Sequence, residues 1–362
     1  MIRYIKQMSV NLFPGYFALV MATGALSIAT FLLGMHLISR LLLYFNTVAY
    51  ITLWCLTLFR LIRFTPRIIA DLTSHTLGPG FFTLVAGTCV FGSQLITVAH
   101  HYSLALYLWF LGIILWIVVM YTFFTAVTVR KDKPTLAEGI NGAWLIAAVA
   151  TQSISVLGTL LSSHVENGRE ILLFFTLCMY LLGCMLYLNI ITLIFYRFTF
   201  AELKIAALTP PYWINMGAVA ITTLAGSTLM LHSQNWPFLG EVMPFLKGFT
   251  LFFWITGTWW IPLLFILMVW RHLYHHYPLK YDPQFWGMAF PLAMYTTSTY
   301  QLAKALNIPF LLVIPRFMVY IAIAAWVTVL IGLIHHLYLS FRAHRNTSSG
   351  QAFSWQRRGG GS

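Results

Sequence analysis

Acidic residues are nearly missing from this chain. Asp and Glu number 8 in 362 residues, and all charged residues together make up 8%. Soluble domains carry about a quarter, so this scarcity, beside 60% hydrophobic residues, excludes an ordinary soluble fold. The carboxylates (Asp71, Asp132, Glu138, Glu166, Glu170, Glu202, Glu241 and Asp282) fall in or beside the connections between apolar runs. Intramembrane carboxylates mark proton relays and cation sites. Their absence argues against a proton pump or cation channel and for neutral or anionic cargo. Cysteine is sparse too. Cys55, Cys89, Cys178 and Cys184 lie inside apolar runs without metal-ligand spacing, which excludes a disulfide framework and leaves small core residues. No triad, Walker loop, dinucleotide fingerprint or metalloprotease helix is present. Neither an enzyme nor a cofactor is expected.

What the chain has in abundance is hydrophobic length. Ten apolar runs follow one another at 13–33, 39–63, 79–100, 103–129, 141–163, 169–197, 211–231, 243–270, 284–305 and 309–340. A spanning helix needs about 20 such residues. The expected fold is an all-α polytopic membrane protein with ten transmembrane helices over 13–340. A short N-terminal segment at 1–12 precedes them. A polar tail at 341–362 is expected to be disordered, and it ends in a linker-like Gly-Gly-Gly-Ser. The first run, behind Arg3 and Lys6, looks like a signal peptide but is too long for one, so a retained helix is expected.

A formal net charge of +13 raises the question of nucleic acid. Its distribution answers otherwise. Ten spans put Arg3, Lys6, Arg60, Arg63, Arg67, Arg130, Lys131, Lys133, Arg197, Lys204, Arg271, Lys280, Arg342 and Arg345 on the side of the N-terminus. Only Arg40, Arg169, Lys247 and Lys304 fall on the other. This is a positive-inside bias. It predicts a multi-pass protein of a bacterial inner membrane with both termini cytoplasmic, touching anionic lipid and no nucleic acid.

The runs group into five hairpins beginning near Phe13, Pro79, Asn141, Pro211 and Gln284. Odd-numbered runs carry small and hydroxyl residues throughout, as in Thr222-Thr223-Leu224-Ala225-Gly226-Ser227. Even-numbered runs are greasier, as in Leu104–Met120. Small residues let helices pack closely, and polar ones need a partner or water. Two readings fit. Either the five odd helices form an inner ring around a central pore, or their Gly, Ser and Thr serve close helix packing. The first makes Gly24, Thr88, Gly92, Thr151, Ser155, Thr222, Gly226 and Thr296 candidates for the pore lining. Proline stands at or near the start of four odd runs, at Pro14, Pro79, Pro210-Pro211 and Pro291. There it opens the backbone ladder, which a membrane tolerates where protein or water re-satisfies the groups.

Three strings carry a resemblance. They are Phe13-Pro14-Gly15-Tyr16-Phe17, Pro211-Tyr212-Trp213-Ile214-Asn215-Met216-Gly217-Ala218 and Trp286-Gly287-Met288-Ala289-Phe290-Pro291. They resemble the first, seventh and ninth helices of the tellurite-resistance/dicarboxylate transporter family. That family takes in TehA-type bacterial channels, plant slow-type guard-cell anion channels, fungal malate permeases and sulfite exporters. The resemblance covers about residues 8–340. It implies five tandem hairpins with quasi-fivefold symmetry, odd helices lining a pore in each protomer, and a homotrimer. It also implies that Phe290, before the kink at Pro291, plugs the pore. By residue type alone Phe290 is one of 29 phenylalanines. One departure stands out: Ala18 occupies the position where the channel branch has glycine opposite the plug.

The odd runs hold no Arg or Lys before Lys304. Anion preference would then come from hydroxyls, backbone N–H groups and basic loops, a weakly binding lining that suits conduction. A dicarboxylate carrier would more naturally place Arg or Lys in the inner ring. The expected activity is passage of small anions. The alternatives are proton-linked transport of four-carbon dicarboxylates and export of sulfite- or tellurite-like oxyanions. Arg316, about seven residues into the tenth run, is the one cation noted at depth. Snorkelling to the interface is its first reading, and an anion contact its sharper one. His272 and His276 have the i, i+4 spacing of metal ligands, but without nearby Cys or acids they read as interfacial.

Overall fold

The computed structural model describes the backbone of Val10 and residues 12–358, and side chains as far as Arg342. Among the described residues there is no strand. Ten long helices follow the expected order: α1 (Pro14–Leu32), α2 (His36–Arg63), α3 (Gly78–Ala99), α4 (Tyr102–Val129), α5 (Gly142–His164), α6 (Arg169–Phe200), α7 (Pro210–Leu231), α8 (Met243–Tyr274), α9 (Trp286–Leu306) and α10 (Pro309–Arg342). All but α9 are long and apolar enough to cross a bilayer. With Thr296, Thr297, Ser298, Thr299, Gln301 and Lys304, α9 is too polar to count by hydropathy, yet at 21 residues it is about 30 Å long. The chain is a polytopic helical membrane protein. Backbone helix continues beyond α10 to Arg358, across most of the tail expected to be disordered. The final Gly-Gly-Gly-Ser lies outside the described residues.

The odd helices form the inner layer. Over their apolar stretches α1, α3, α5 and α7 are 83 to 94% buried, against 22 to 44% for the five even helices. In α9 every residue from Ala289 to Thr299 is buried. Contacts run α1–α3–α5–α7–α9 and back to α1, closing a ring, and each even helix packs on the odd helix of its own hairpin.

The hydroxyls of the inner layer explain how the layers are joined. At each of the five junctions between hairpins an aromatic side chain of an outer helix reaches the inner helix of the next hairpin. Tyr50 shares a hydrogen bond with Thr88 at 3.1 Å. Trp116 Nε1 donates to Thr151 at 2.8 Å, and Tyr187 donates to the Asn215 carbonyl at 3.3 Å. Trp254 Nε1 donates to Thr299 and Trp326 Nε1 to Thr23, each at 3.0 Å. The last bond joins the fifth hairpin to the first and completes the circuit. Buried Tyr and Trp combine large apolar bodies with a donor that needs an acceptor, and in lipid few other acceptors exist. The fivefold repeat therefore appears in the hydrogen bonding as well as in the packing.

Each inner helix opens the same way, on a 3-10 turn: Pro14–Phe17, Gly78–Phe81, Gly142–Leu145, Pro210–Trp213 and Pro283–Phe285. These starts agree with the expected hairpin starts to within a residue. Proline occupies the first or second position in four of them, where its missing N–H costs no helical bond and its fixed φ suits the turn. One expectation is corrected here. The proline that opens the ninth span is Pro283, and Pro291 sits inside α9.

Candidate functional site

The five opening turns touch in sequence and close a second, smaller ring at the end of the bundle where the inner helices begin. Inside it lies a cavity of about 280 Å³, to which every turn contributes: Gly15, Gly80, Ala143, Pro211 and Gln284. A water needs about 10–15 Å³ by the same kind of measure, so this vestibule has room for several waters, with Thr76, Thr83, Asn141, Thr209 and Gln284 among its walls as polar partners. The first N–H groups of a helix lack intrahelical acceptors, and its dipole is positive at that end. Five helices here direct their N-termini at one space. Asn141 and Asp282 cap their own turns, accepting from Ala143 N at 2.9 Å and Gln284 N at 2.8 Å. No side chain caps the other three. The arrangement favours negative charge, and the one Lys or Arg on the inner helices, Lys304, stands in the last turn of α9, at the opposite end from these N-termini.

Phe290, Ala18 and Met21 also line the vestibule. The structure thus brings together the residues expected to form the gate: Phe290, 1% exposed, shares this space with Ala18. Pro291 follows inside the helix and leaves the Gly287 carbonyl without its usual donor. Its ring packs against α7, where a Cβ at Gly217 would come within 2.6 Å of it.

None of the eight candidates for the pore lining borders this vestibule. Thr88 and Thr151 bond to the outer aromatics described above. Ser155 donates to the Thr176 carbonyl of α6 at 2.7 Å. Thr222 and Thr296 donate to their own helices, at Ala218 and Leu292. At the glycines, an added Cβ would meet Val90 and Asn46 (Gly24), Leu157 (Gly92), or Thr250 and Tyr180 (Gly226). At Thr88, Thr151, Ser155 and the three glycines these contacts join neighbouring helices, whereas at Thr222 and Thr296 the bonds stay within the helix. Arg316 is exposed on outer helix α10. Arg316→Gln should therefore leave anion preference in a flux assay within about twofold, since an exposed charge at the interface has water and lipid for partners. A change in preference with intact assembly would restore it as an anion contact.

Beside the vestibule, His75, Thr76, Arg130, Asp132 and Lys133 line a shallow hollow, and Thr76 borders both spaces. Burial, then the charges of Arg130 and Lys133, hold the His75 imidazole below its ordinary range. The mouth is thus basic on this flank. A larger hollow of about 640 Å³ lies off the ring between α8 and α10, where Met268, Phe285 and Ile331 make it mostly apolar. It belongs to the outer layer. His272, on its wall, has Nδ1 2.9 Å from the Tyr277 carbonyl, within the turn that ends α8.

The vestibule holds residues that the reading of the runs passed over: Thr76, Thr83, Asn141, Thr209, Gln284 and Arg197. Most sit at the hairpin starts, and position relative to those starts was the available signal. Arg197, near the end of α6, is by sequence one of fourteen topology charges. Its signal was recurrence, because Arg60, Arg197 and Arg271 each stand near the end of an even run.

A family model described as a voltage-dependent anion channel matches residues 11–334. The chain is similar to an uncharacterised membrane protein of Mycobacterium tuberculosis, 36% identical over 152 residues, 42% of this chain and 77% of the relative. It is similar to an uncharacterised transporter of Methanocaldococcus jannaschii, 27% identical over 343 residues, 92% and 96% of the two chains. It is also similar to a sulfite efflux pump of Arthroderma benhamiae, 23% identical over 343 residues, 88% and 89%.

Proposed function

Because the chain belongs to the voltage-dependent anion channel family, we propose that it passes small anions through the ring of inner helices, with Phe290 as the gate beside Ala18 and Pro291. The observation that carries this reading is the vestibule: all five inner helices open onto it, and Phe290 stands among its walls. An anion entering there meets helix N-termini and a basic flank, then an aromatic side chain that excludes water. Ions cross an apolar constriction poorly because nothing replaces their hydration. The basic asymmetry supports a vestibule on the cytoplasmic side of a bacterial inner membrane, with both termini in the cytoplasm. The homotrimer that the family resemblance implies is part of the same proposal.

Export of a sulfite-like oxyanion is the second reading, supported by the likeness to a sulfite efflux pump along most of both chains. Proton-linked dicarboxylate transport is the third, and it has less support. Among the described residues the inner helices carry no carboxylate to relay a proton and no cation before Lys304 to hold a second charge.

Flux in proteoliposomes under an imposed voltage, with chloride, nitrate, sulfite and malate compared, tests the proposal. Chloride and nitrate are expected to pass about tenfold faster than malate and without dependence on a pH gradient, since weak, multi-site binding favours conduction. Saturable malate uptake driven by a pH gradient would overturn it in favour of a carrier.

A further inference from the structure

Three buried arginines occupy equivalent places. Arg60, Arg197 and Arg271 stand near the ends of α2, α6 and α8, and each donates through Nη1 to a carbonyl two residues before the inner helix of its own hairpin: Leu12, Ile140 and Leu208. As clamps the three are alike. Their charges are treated differently. Arg60 is neutralised by Asp71 at 2.5 Å. Arg271 lies over the Tyr277 ring, 4.2 Å from its centroid. Arg197 has the Ile140 carbonyl and the Tyr212 hydroxyl, both uncharged, and the Tyr212 ring stands off at 5.8 Å. The Nε of all three lacks a partner, so the difference lies in what faces the charge. Arg60–Asp71 is the one ion pair among the described residues. Arg197 is 7% exposed and, unlike its two counterparts, it lines the vestibule.

We propose that Arg197 is a binding site for a small, singly charged anion in the vestibule. A buried charge without a counter-ion is costly, and removing the cost takes an anion within hydrogen-bond reach. The guanidinium fork presents donors on a fixed plane suited to that task. Its neighbours on the wall, Asn141 and Thr209, are polar and uncharged, and the helix N-termini at the mouth add positive potential without adding a second fixed charge. Glu138 borders the same cavity. One guanidinium compensates one negative charge, and Glu138 disfavours a second. The site therefore takes monovalent inorganic anions in preference to dicarboxylates. It rests on the proposed anion path only for its place along the route.

Binding can be read without transport. Purified protein in detergent is titrated with sodium nitrate at constant ionic strength, sodium gluconate making up the balance, and the thermal unfolding midpoint is followed. An anion that binds only the folded state raises the midpoint with concentration. Wild type is expected to respond and Arg271→Gln to keep the response. Arg197→Gln is expected to need at least about tenfold more nitrate, the loss of one charge-assisted contact. If that variant does not fold, Arg197→Lys serves: it keeps the charge, loses the fork, and is expected to shift the half-saturating nitrate about threefold. An absent response in wild type overturns the site, as does an unchanged half-saturation in folded Arg197→Gln or Arg197→Lys. A wild-type protein that binds nitrate through Arg197 but shows no flux would refute the transport reading and leave the site standing.

Discussion

Replacing Phe290 by alanine should raise anion conductance by an order of magnitude or more. The ring is nearly fully buried, borders the vestibule beside Ala18 and Met21, and sits one residue before a helix-internal proline. While it stays, an anion on the vestibule side faces an apolar surface that gives it no ligand in exchange for water. Removal opens a gap that water can enter, with polar backbone near Pro291 as its border. Truncating a phenylalanine in a packed core costs about 3–5 kcal/mol. Here the side chain borders an existing cavity, and the ring of hairpins is held by hydrogen bonds from outer aromatics that do not involve it. The variant should therefore assemble as the parent does, as judged by size-exclusion chromatography. Phe290→Leu should show a smaller rise because a bulky apolar side chain remains. A folded Phe290→Ala that conducts no better than the parent would reduce Phe290 to one more packed aromatic.

Gly142→Ala should be the most damaging small substitution at the mouth, lowering stability by about 3 kcal/mol and abolishing flux. A Cβ on Gly142 would fall on the Pro211 carbonyl group and within 2.6 Å of Tyr212 Cα. Those atoms are backbone, and the neighbouring turn is stiffened by Pro210 and Pro211, so no side chain can swing away. Overpacking usually costs about 1–3 kcal/mol, and the upper end applies where backbone must move. The displacement would part the turns that open α5 and α7 and break the ring around the vestibule. Gly240→Ala is the control: nothing lies within 4 Å of its added Cβ, so its effect should stay within about 0.5 kcal/mol. Reversible unfolding by SDS in mixed micelles measures both. Equal stability of Gly142→Ala and the parent would show that the turns are not in rigid contact.

Much of the architecture was legible before any coordinates. Charge scarcity and run length require a helical membrane protein, because unpaired backbone cannot cross lipid. Most hairpin starts could be read because proline punctuates a helix by local sterics, as at Pro14, Pro79 and Pro210, whereas the cap at Asp282 and the opening proline Pro283 came from the structure. Small and hydroxyl residues in alternate runs suggested an inner and an outer layer, since only protein or water satisfies them, and burial of the odd helices bears out the layers.

The direction in which those residues point was decided by tertiary structure. A hydroxyl that lines a path and one that bonds a neighbouring helix have the same composition and helical spacing. Thr88 and Thr151 are candidates for either role by composition, and only the structure supplies their partners Tyr50 and Trp116, 38 and 35 residues away in sequence. Arg197 shows the converse. In the sequence it is one basic residue among fourteen on its side, equivalent to Arg60 and Arg271. Only ring closure, which brings five distant turns around one cavity, leaves its guanidinium bordering that space with no carboxylate paired to it. The elements follow from local chemistry, whereas the site follows from which long-range partners are present and which are missing.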